Sequence, residues 1–295
     1  MNKATVLTLV IFTLLLSIPY SAARNLPAIV SADWLEQNST NSKLVIVDIR
    51  NRESFEKSHI PGAVLAPFSS WIRNDGNAIL ELPPEKIIHD LLGNLGIGRE
   101  SLVVVVNKTD TDWNRADATR VAWTCIVSGV SNASVLDGGY NRWLKLGKPV
   151  TADITLPDAR TYNGISDQSS LITKSEVMRK IGHSIILDAR LPEDYFGVST
   201  GKGHIKSAVN LPAPWAYNTD GTFRNQSDLK AMASGTAGPD TKREIILYCE
   251  VGGFASTWWF ILSEVLDYPN VRLYDGSFQE WERDPEAPIS IFRWN

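Results

Sequence analysis

The stretch from Glu244 to Leu262, Glu-Ile-Ile-Leu-Tyr-Cys-Glu-Val-Gly-Gly-Phe-Ala-Ser-Thr-Trp-Trp-Phe-Ile-Leu, holds the residues best suited to chemistry. Ile245 to Tyr248 is a short apolar run of β-forming residues, the signal of a buried strand. The bulky apolar run from Trp258, with Ala255, Ser256 and Thr257 ahead of it, marks a helix start. Cys249 then falls on a tight strand-to-helix turn, where Gly252 and Gly253 let the backbone curl. Such a turn aims successive amide hydrogens inward and adds the positive end of a helix dipole. A thiol at that focus is expected to lose its proton easily, and the thiolate is the nucleophile. The alternative is a buried core cysteine, because free cysteine is among the most buried residue types.

The elements that must position this turn come in two sets. Leu44-Val-Ile-Val-Asp48-Ile-Arg50 is matched by Ile185-Ile-Leu-Asp188-Ala-Arg190, and His59-Ile-Pro-Gly-Ala-Val64 by His204-Ile-Lys-Ser-Ala-Val209. Leu102 to Val106 answers Ile245 to Tyr248, and Val135 to Trp143 answers Leu273 to Trp281. Matched blocks in the same order mean a duplicated domain. Each half alternates short apolar strands with amphipathic stretches such as Pro84 to Leu95 and Ala118 to Val127, which predicts an α/β fold with a mostly parallel sheet. Ser31 and Thr173 are predicted N-caps opening the two halves.

The division is residues 24–147, a polar Pro- and Gly-broken linker 148–170, and 171–295. Residues 1–23 have the pattern of an export signal: Lys3, the apolar run Val6 to Ile18, then Ser21-Ala22-Ala23. An uncleaved anchor is the runner-up, and either places the folded part in the periplasm or outside the cell. No later segment is long enough to cross a bilayer. The formal charge of -4 does not suggest nucleic acid or an anionic membrane as partner. With 4 His and 2 Cys no zinc spacing arises. No phosphate-binding Walker pattern is present. Cys125 and Cys249 fall in different halves and are not expected to pair.

The halves differ where chemistry belongs. Asn107 stands at the position answering Cys249, and from there to Ala118 the chain is four residues longer than from Cys249 to Ser256. This stretch lacks glycine and thiol, so the first half is expected to be a non-catalytic partner. Cys125, answering Ser263, is expected to be a core thiol.

The duplicated plan, the Asp-x-Arg strand ends, the His-Ile turns and the Tyr-Cys-x-x-Gly loop together resemble the rhodanese superfamily. More narrowly, they resemble the tandem-domain thiosulfate and 3-mercaptopyruvate sulfurtransferases, over nearly the whole chain. The resemblance implies two rhodanese-like domains, the second catalytic, and a ping-pong cycle without metal or cofactor. A donor passes its outer sulfur to Cys249, and a thiol or cyanide collects it from the persulfide. The active-site loop is then Glu250, Val251, Gly252, Gly253, Phe254, Ala255 and Ser256, whose amides stabilise charge on the sulfurs.

Members of this family that bind anionic donors carry Arg or Lys in or beside the loop, whereas Glu250 and Phe254 occupy those places here. A carboxylate about 4 Å from a donor charge costs roughly 4 kcal/mol at an effective dielectric near 20, before solvent screening. A neutral or protein-borne persulfide donor suits such a loop better than thiosulfate. Arg190, after a strand-end aspartate, is expected first to form a structural ion pair, with substrate binding as its alternative role in the active-site set. His204 is expected to tie loops together, and Asp137 and Asp275, each before a glycine, to serve turn chemistry. A phosphatase reading fails because Ala255 stands where a Cys-x5-Arg loop needs its arginine. A persulfide carrier that holds sulfur for a partner is the competing function.

Overall fold

The unbroken β-branched run Val103-Val-Val-Val106 demands cover on both faces, and this run forms the middle of the first sheet. In the computed structural model, which describes residues 24–76, 78–198 and 201–292, the first half holds strands β1 (Ile29–Val30), β2 (Leu44–Asp48), β3 (Val64–Leu65), β4 (Leu102–Val106) and β5 (Ala133–Leu136). They form one parallel sheet in the order β1-β5-β4-β2-β3. The second half holds β6 (Ile185–Asp188), β7 (His204–Ile205), β8 (Val209–Asn210), β9 (Ile245–Tyr248), β10 (Val271–Leu273) and β11 (Ile289–Ser290). Its main sheet, β10-β9-β6-β8, is parallel in the same relative order, with β7 and β11 paired antiparallel beside it. A parallel bridge from Leu171 to Leu273 stands where β1 stands in the first sheet.

The helices of the first half are α1 (Ala32–Gln37), α2 (Arg52–Lys57), α3 (Glu85–Asn94), α4 (Asp112–Val127) and α5 (Gly139–Lys145). Those of the second are α6 (Lys174–Lys180), α7 (Pro192–Tyr195), α8 (Gln226–Ala237), α9 (Gly253–Phe260) and α10 (Ser277–Trp281). Ser31 caps α1, and Thr173 with Glu176 forms a capping box at α6. The predicted tandem α/β architecture is the one found. The segment predicted to carry an export signal lies outside the described residues. Among the described residues no helix is long and apolar enough to cross a membrane.

Period-two alternation divides the strand side chains between two faces. Val103 and Val105 of β4, and Ile245 and Leu247 of β9, point into one core shared by both halves. Val104 and Val106 face a core private to the first half, Ile246 and Tyr248 one private to the second. The shared core is built on α4 against α9, with Trp123 edge-on to Trp259 at 6.5 Å between ring centroids. Thr119 of α4 reaches the hydroxyls of Ser256 (3.3 Å) and Thr257 (3.1 Å). Continuous apolar packing of this kind makes the halves one body.

Helix α4 departs from expectation. It begins at Asp112, capped by the Thr111 hydroxyl, rather than at Ala118. The four extra residues of the first half are therefore not a long loop: the turn after β4, residues 107–111, is one residue longer than residues 249–252 after β9, and the other three are helix. This extra turn carries Trp113 toward the second half.

Candidate active site

Strand β9 delivers Cys249 to the mouth of α9. Gly252, in the left-handed region at φ +84°, turns the chain into the helix. A Cβ there would stand 2.8 Å from an Asp275 carboxylate oxygen and 3.1 Å from Arg120 Nη1, so the turn needs glycine for both conformation and space. The amides of Ala255, Val251 and Gly252 lie beside the Cys249 sulfur and each favours its negative form. The Cys249 amide donates to Ser277 Oγ (3.2 Å), which itself donates to the Tyr274 carbonyl (2.9 Å). Ser277 is held at φ +52°, an uncommon conformation for a residue with a side chain; its counterpart Gly139 has φ +55°.

The amide cradle is present, but the expectation of a readily ionised thiol is not met. Cys249 is only 1% exposed. Burial pushes its thiol up from the ordinary value, outweighing the pull of the three amides. The cradle therefore favours negative sulfur without making the resting thiol acidic. Cys125, midway along α4, is fully buried and pushed up to about 12 by desolvation. Both thiols are free.

Arg190 is occupied. Its Nε lies 3.0 and 3.1 Å from the two Asp188 carboxylate oxygens, and its Nη2 donates to Asp188 (2.7 Å) and to the Gly203 carbonyl (2.8 Å). The guanidinium sits 4.1 Å from the centre of the Phe278 ring, with its side chain 2% exposed. Its remaining nitrogen, Nη1, meets Glu250 at 3.3 Å. Arg190 thus forms the expected structural pair rather than its alternative, a donor-binding cation, and its remaining corner is closed by the loop's own carboxylate. Glu250 is partly exposed at the loop rim. Phe254, expected to face the donor, is instead buried and stacked on Trp113 at 4.3 Å between ring centroids. Val251 lines the turn, Gly253 lies under Trp113, and Ala255 and Ser256 are inside the helix start, with Ser256 Oγ donating to the Gly253 carbonyl (2.6 Å).

His204 ties loops as expected: Nδ1 pairs with the Tyr195 carbonyl at 3.0 Å and the ring stacks on Tyr195 at 3.9 Å. His59 repeats the arrangement on Phe55, at 2.8 and 3.8 Å. Asp275 and Asp137 do more than shape turns. Asp275 accepts the Leu82 amide (2.7 Å) and Arg120 Nη1 (2.5 Å), both from the other half. Asp137 accepts the Phe223 amide (2.9 Å), again across the boundary. Arg120, with a fully buried side chain, also donates to the Leu80 carbonyl (2.8 Å), and so holds residues 80–82 against the Cys249 loop. The sequence signal for this was a lone arginine amid Ala118, Thr119, Val121 and Ala122, because a buried charge needs a partner. Among the described residues no cluster of groups could hold a metal ion.

Comparison with known proteins bears on the family and the fold. The model of the "Rhodanese-like domain" matches residues 31–146 and again residues 173–284. A Saccharopolyspora erythraea protein named "Putative thiosulfate sulfurtransferase" is 30% identical over 88% of this chain and 95% of its own. The "Sulfur carrier protein TtuD" of Thermus thermophilus is 27% identical over 89% of this chain and 96% of its own. A crystal structure of the anaerobic ergothioneine biosynthesis enzyme from Chlorobium limicola, bound to trimethyl histidine, superposes with a TM-score of 0.77 at 21% identity, over 90% of this chain and 70% of that one. That last likeness speaks to the fold alone. With one domain model matched in each half, and relatives aligned over nearly the full length, the chain belongs to the rhodanese family.

Proposed function

We propose that the protein is an exported sulfurtransferase that works through a persulfide on Cys249. The observation that carries this reading is the set of three inward amides, from Val251, Gly252 and Ala255, on one sulfur at the start of α9. In the first step the Cys249 thiolate attacks the outer sulfur of a donor. A bond forms between the two sulfurs, the donor's own bond to that sulfur breaks, and the leaving group departs with the electron pair. The amides stabilise charge as it develops on the sulfurs, where preorganised donors act most strongly. In the second step an acceptor thiolate or cyanide attacks the outer sulfur and leaves Cys249 as thiolate. Splitting the transfer in two is the general gain of covalent catalysis.

Donor preference follows from charge. With Glu250 at the loop rim and Arg190 spent on Asp188 and Glu250, the loop offers no free guanidinium to a doubly charged donor. A neutral or protein-borne persulfide suits it better than thiosulfate. The same feature, with the deep burial of Cys249, favours a second reading: a carrier that keeps its sulfur until a partner protein collects it. The relative from Thermus thermophilus named a sulfur carrier supports that option.

The experiment is donor turnover to cyanide with thiosulfate, 3-mercaptopyruvate and glutathione persulfide, for wild type and Cys249→Ala. Catalysis by wild type that is abolished in the variant is expected of the enzyme. One sulfur taken up without turnover is expected of the carrier. Turnover that survives in Cys249→Ala refutes both.

A further inference from the structure

The first half keeps an open cavity, lined by both charged and apolar residues, at the place answering the Cys249 loop. Its volume is about 250 Å³, and Arg50, Lys108, Asn107, Asn114 and Asp117 are among its lining. That is below the ~300–1,000 Å³ of pockets for drug-sized ligands, so a smaller molecule fits it.

Its charges differ from those around Cys249 in a specific way. Arg50 repeats the Arg190 arrangement, with Nε 3.0 Å from both Asp48 oxygens, Nη2 donating to Asp48 (2.6 Å) and to the Ser58 carbonyl (2.9 Å). No glutamate closes its Nη1, which makes no hydrogen bond to a described residue; Lys108 follows Asn107 where Glu250 follows Cys249. Lys108 is half exposed, and among the described residues it forms an ion pair only with Asp110, at 3.9 Å. Asp117 of α4 lines the same cavity and has no hydrogen bond or ion pair among the described residues, so neither cation is within pairing distance of it. Burial without a partner lifts its carboxyl to about 7. Desolvating a carboxylate and leaving it unpaired is costly, and Arg50, 6% exposed overall, lines the same cavity.

We propose that this cavity binds a small α-amino acid as its zwitterion, the carboxylate on Arg50 Nη1 and Lys108 and the ammonium on Asp117. A ligand carrying both charges a few ångströms apart satisfies groups that the fold holds apart. An inorganic anion would answer the cations and leave Asp117 facing it. The site is separate from the sulfur chemistry and stands whether or not that reading holds.

The test is calorimetric titration of the full chain with L-serine, acetate and methylammonium. L-serine is expected to bind one to one, with acetate and methylammonium each at least about tenfold weaker, the scale of one charge-assisted hydrogen bond. Asp117→Asn and Lys108→Ala are each expected to weaken L-serine about tenfold, while Cys249→Ala leaves it unchanged. Circular dichroism of the variants separates a lost contact from a lost fold. Acetate binding as tightly as L-serine, no loss of L-serine binding in a folded Asp117→Asn protein, or no binding by wild type would each overturn the proposal.

Discussion

After β4 the chain turns through Asn107–Thr111 and enters α4 at Asp112; after β9 it turns through Cys249–Gly252 and enters α9 at Gly253. One strand–turn–helix unit thus serves two ends. In the second half a glycine in the left-handed region aims amides at a thiol. In the first, extra residues bring the helix forward, and its new turn sets Trp113 over Phe254. The arginine answering in each half keeps its aspartate pair and its aromatic lid, Arg50 on Tyr140 at 3.6 Å and Arg190 on Phe278 at 4.1 Å. Only the fourth corner differs, open beside Lys108 in one and closed by Glu250 in the other. The comparison teaches that duplication preserved the scaffold pairs, while function diverged in a few residues after one strand.

The cross-boundary aspartates give the sharpest way to break that comparison. Asp275 holds both the Leu82 amide and buried Arg120, whereas Asp137 holds the Phe223 amide alone. Arg120→Ala is expected to cost about 3–5 kcal/mol in denaturant unfolding, the usual effect of orphaning one partner of a buried ion pair. Asp137→Asn keeps an acceptor for Phe223 and removes a carboxyl that burial pushes up, so it is expected to cost less than about 1 kcal/mol. Equal losses would mean that Arg120 is not what fixes the first half to the Cys249 loop.

A smaller effect concerns the fourth corner. Glu250→Gln removes the charge that meets Arg190 Nη1 and the rim of the loop. It is expected to raise kcat/KM for thiosulfate about tenfold, or ~1.4 kcal/mol, with little change for a neutral persulfide. No gain for thiosulfate would show that Glu250 does not set donor charge.

The smallest effect is one of pH. The folded Asp117 carboxyl is raised to about 7 against an ordinary value of 3.8. The folded chain therefore binds this proton more readily than the unfolded one, and its cost to stability is full above about pH 7 and fades as the pH falls toward 3.8. Asp117→Asn is expected to raise the melting temperature by a few degrees at pH 8 and by nothing at pH 4. A pH-independent difference would contradict the burial argument.

The fold was legible because its signals are local and repeated: apolar strand runs, Asp-x-Arg strand ends, and caps such as Ser31 and Thr173 that need only their own neighbours. The position of Cys249 on a glycine turn was equally local. What could not be read depends on residues distant in the chain. The start of α4 is set by Thr111 and by Trp113 finding Phe254, not by apolar periodicity. The state of Cys249 is set by burial in a core that both halves build. The roles of Asp137 and Asp275 required knowing which loop of the other half lies opposite, and a turn motif looks the same with or without that neighbour.

The most direct test of the amide-cradled cysteine is to expose the protein to glutathione persulfide, digest it and locate added sulfur by mass spectrometry. One extra sulfur atom on the peptide containing Cys249, with Cys125 unmodified, is the result this account predicts. Sulfur on Cys125, or none on either thiol, would contradict it.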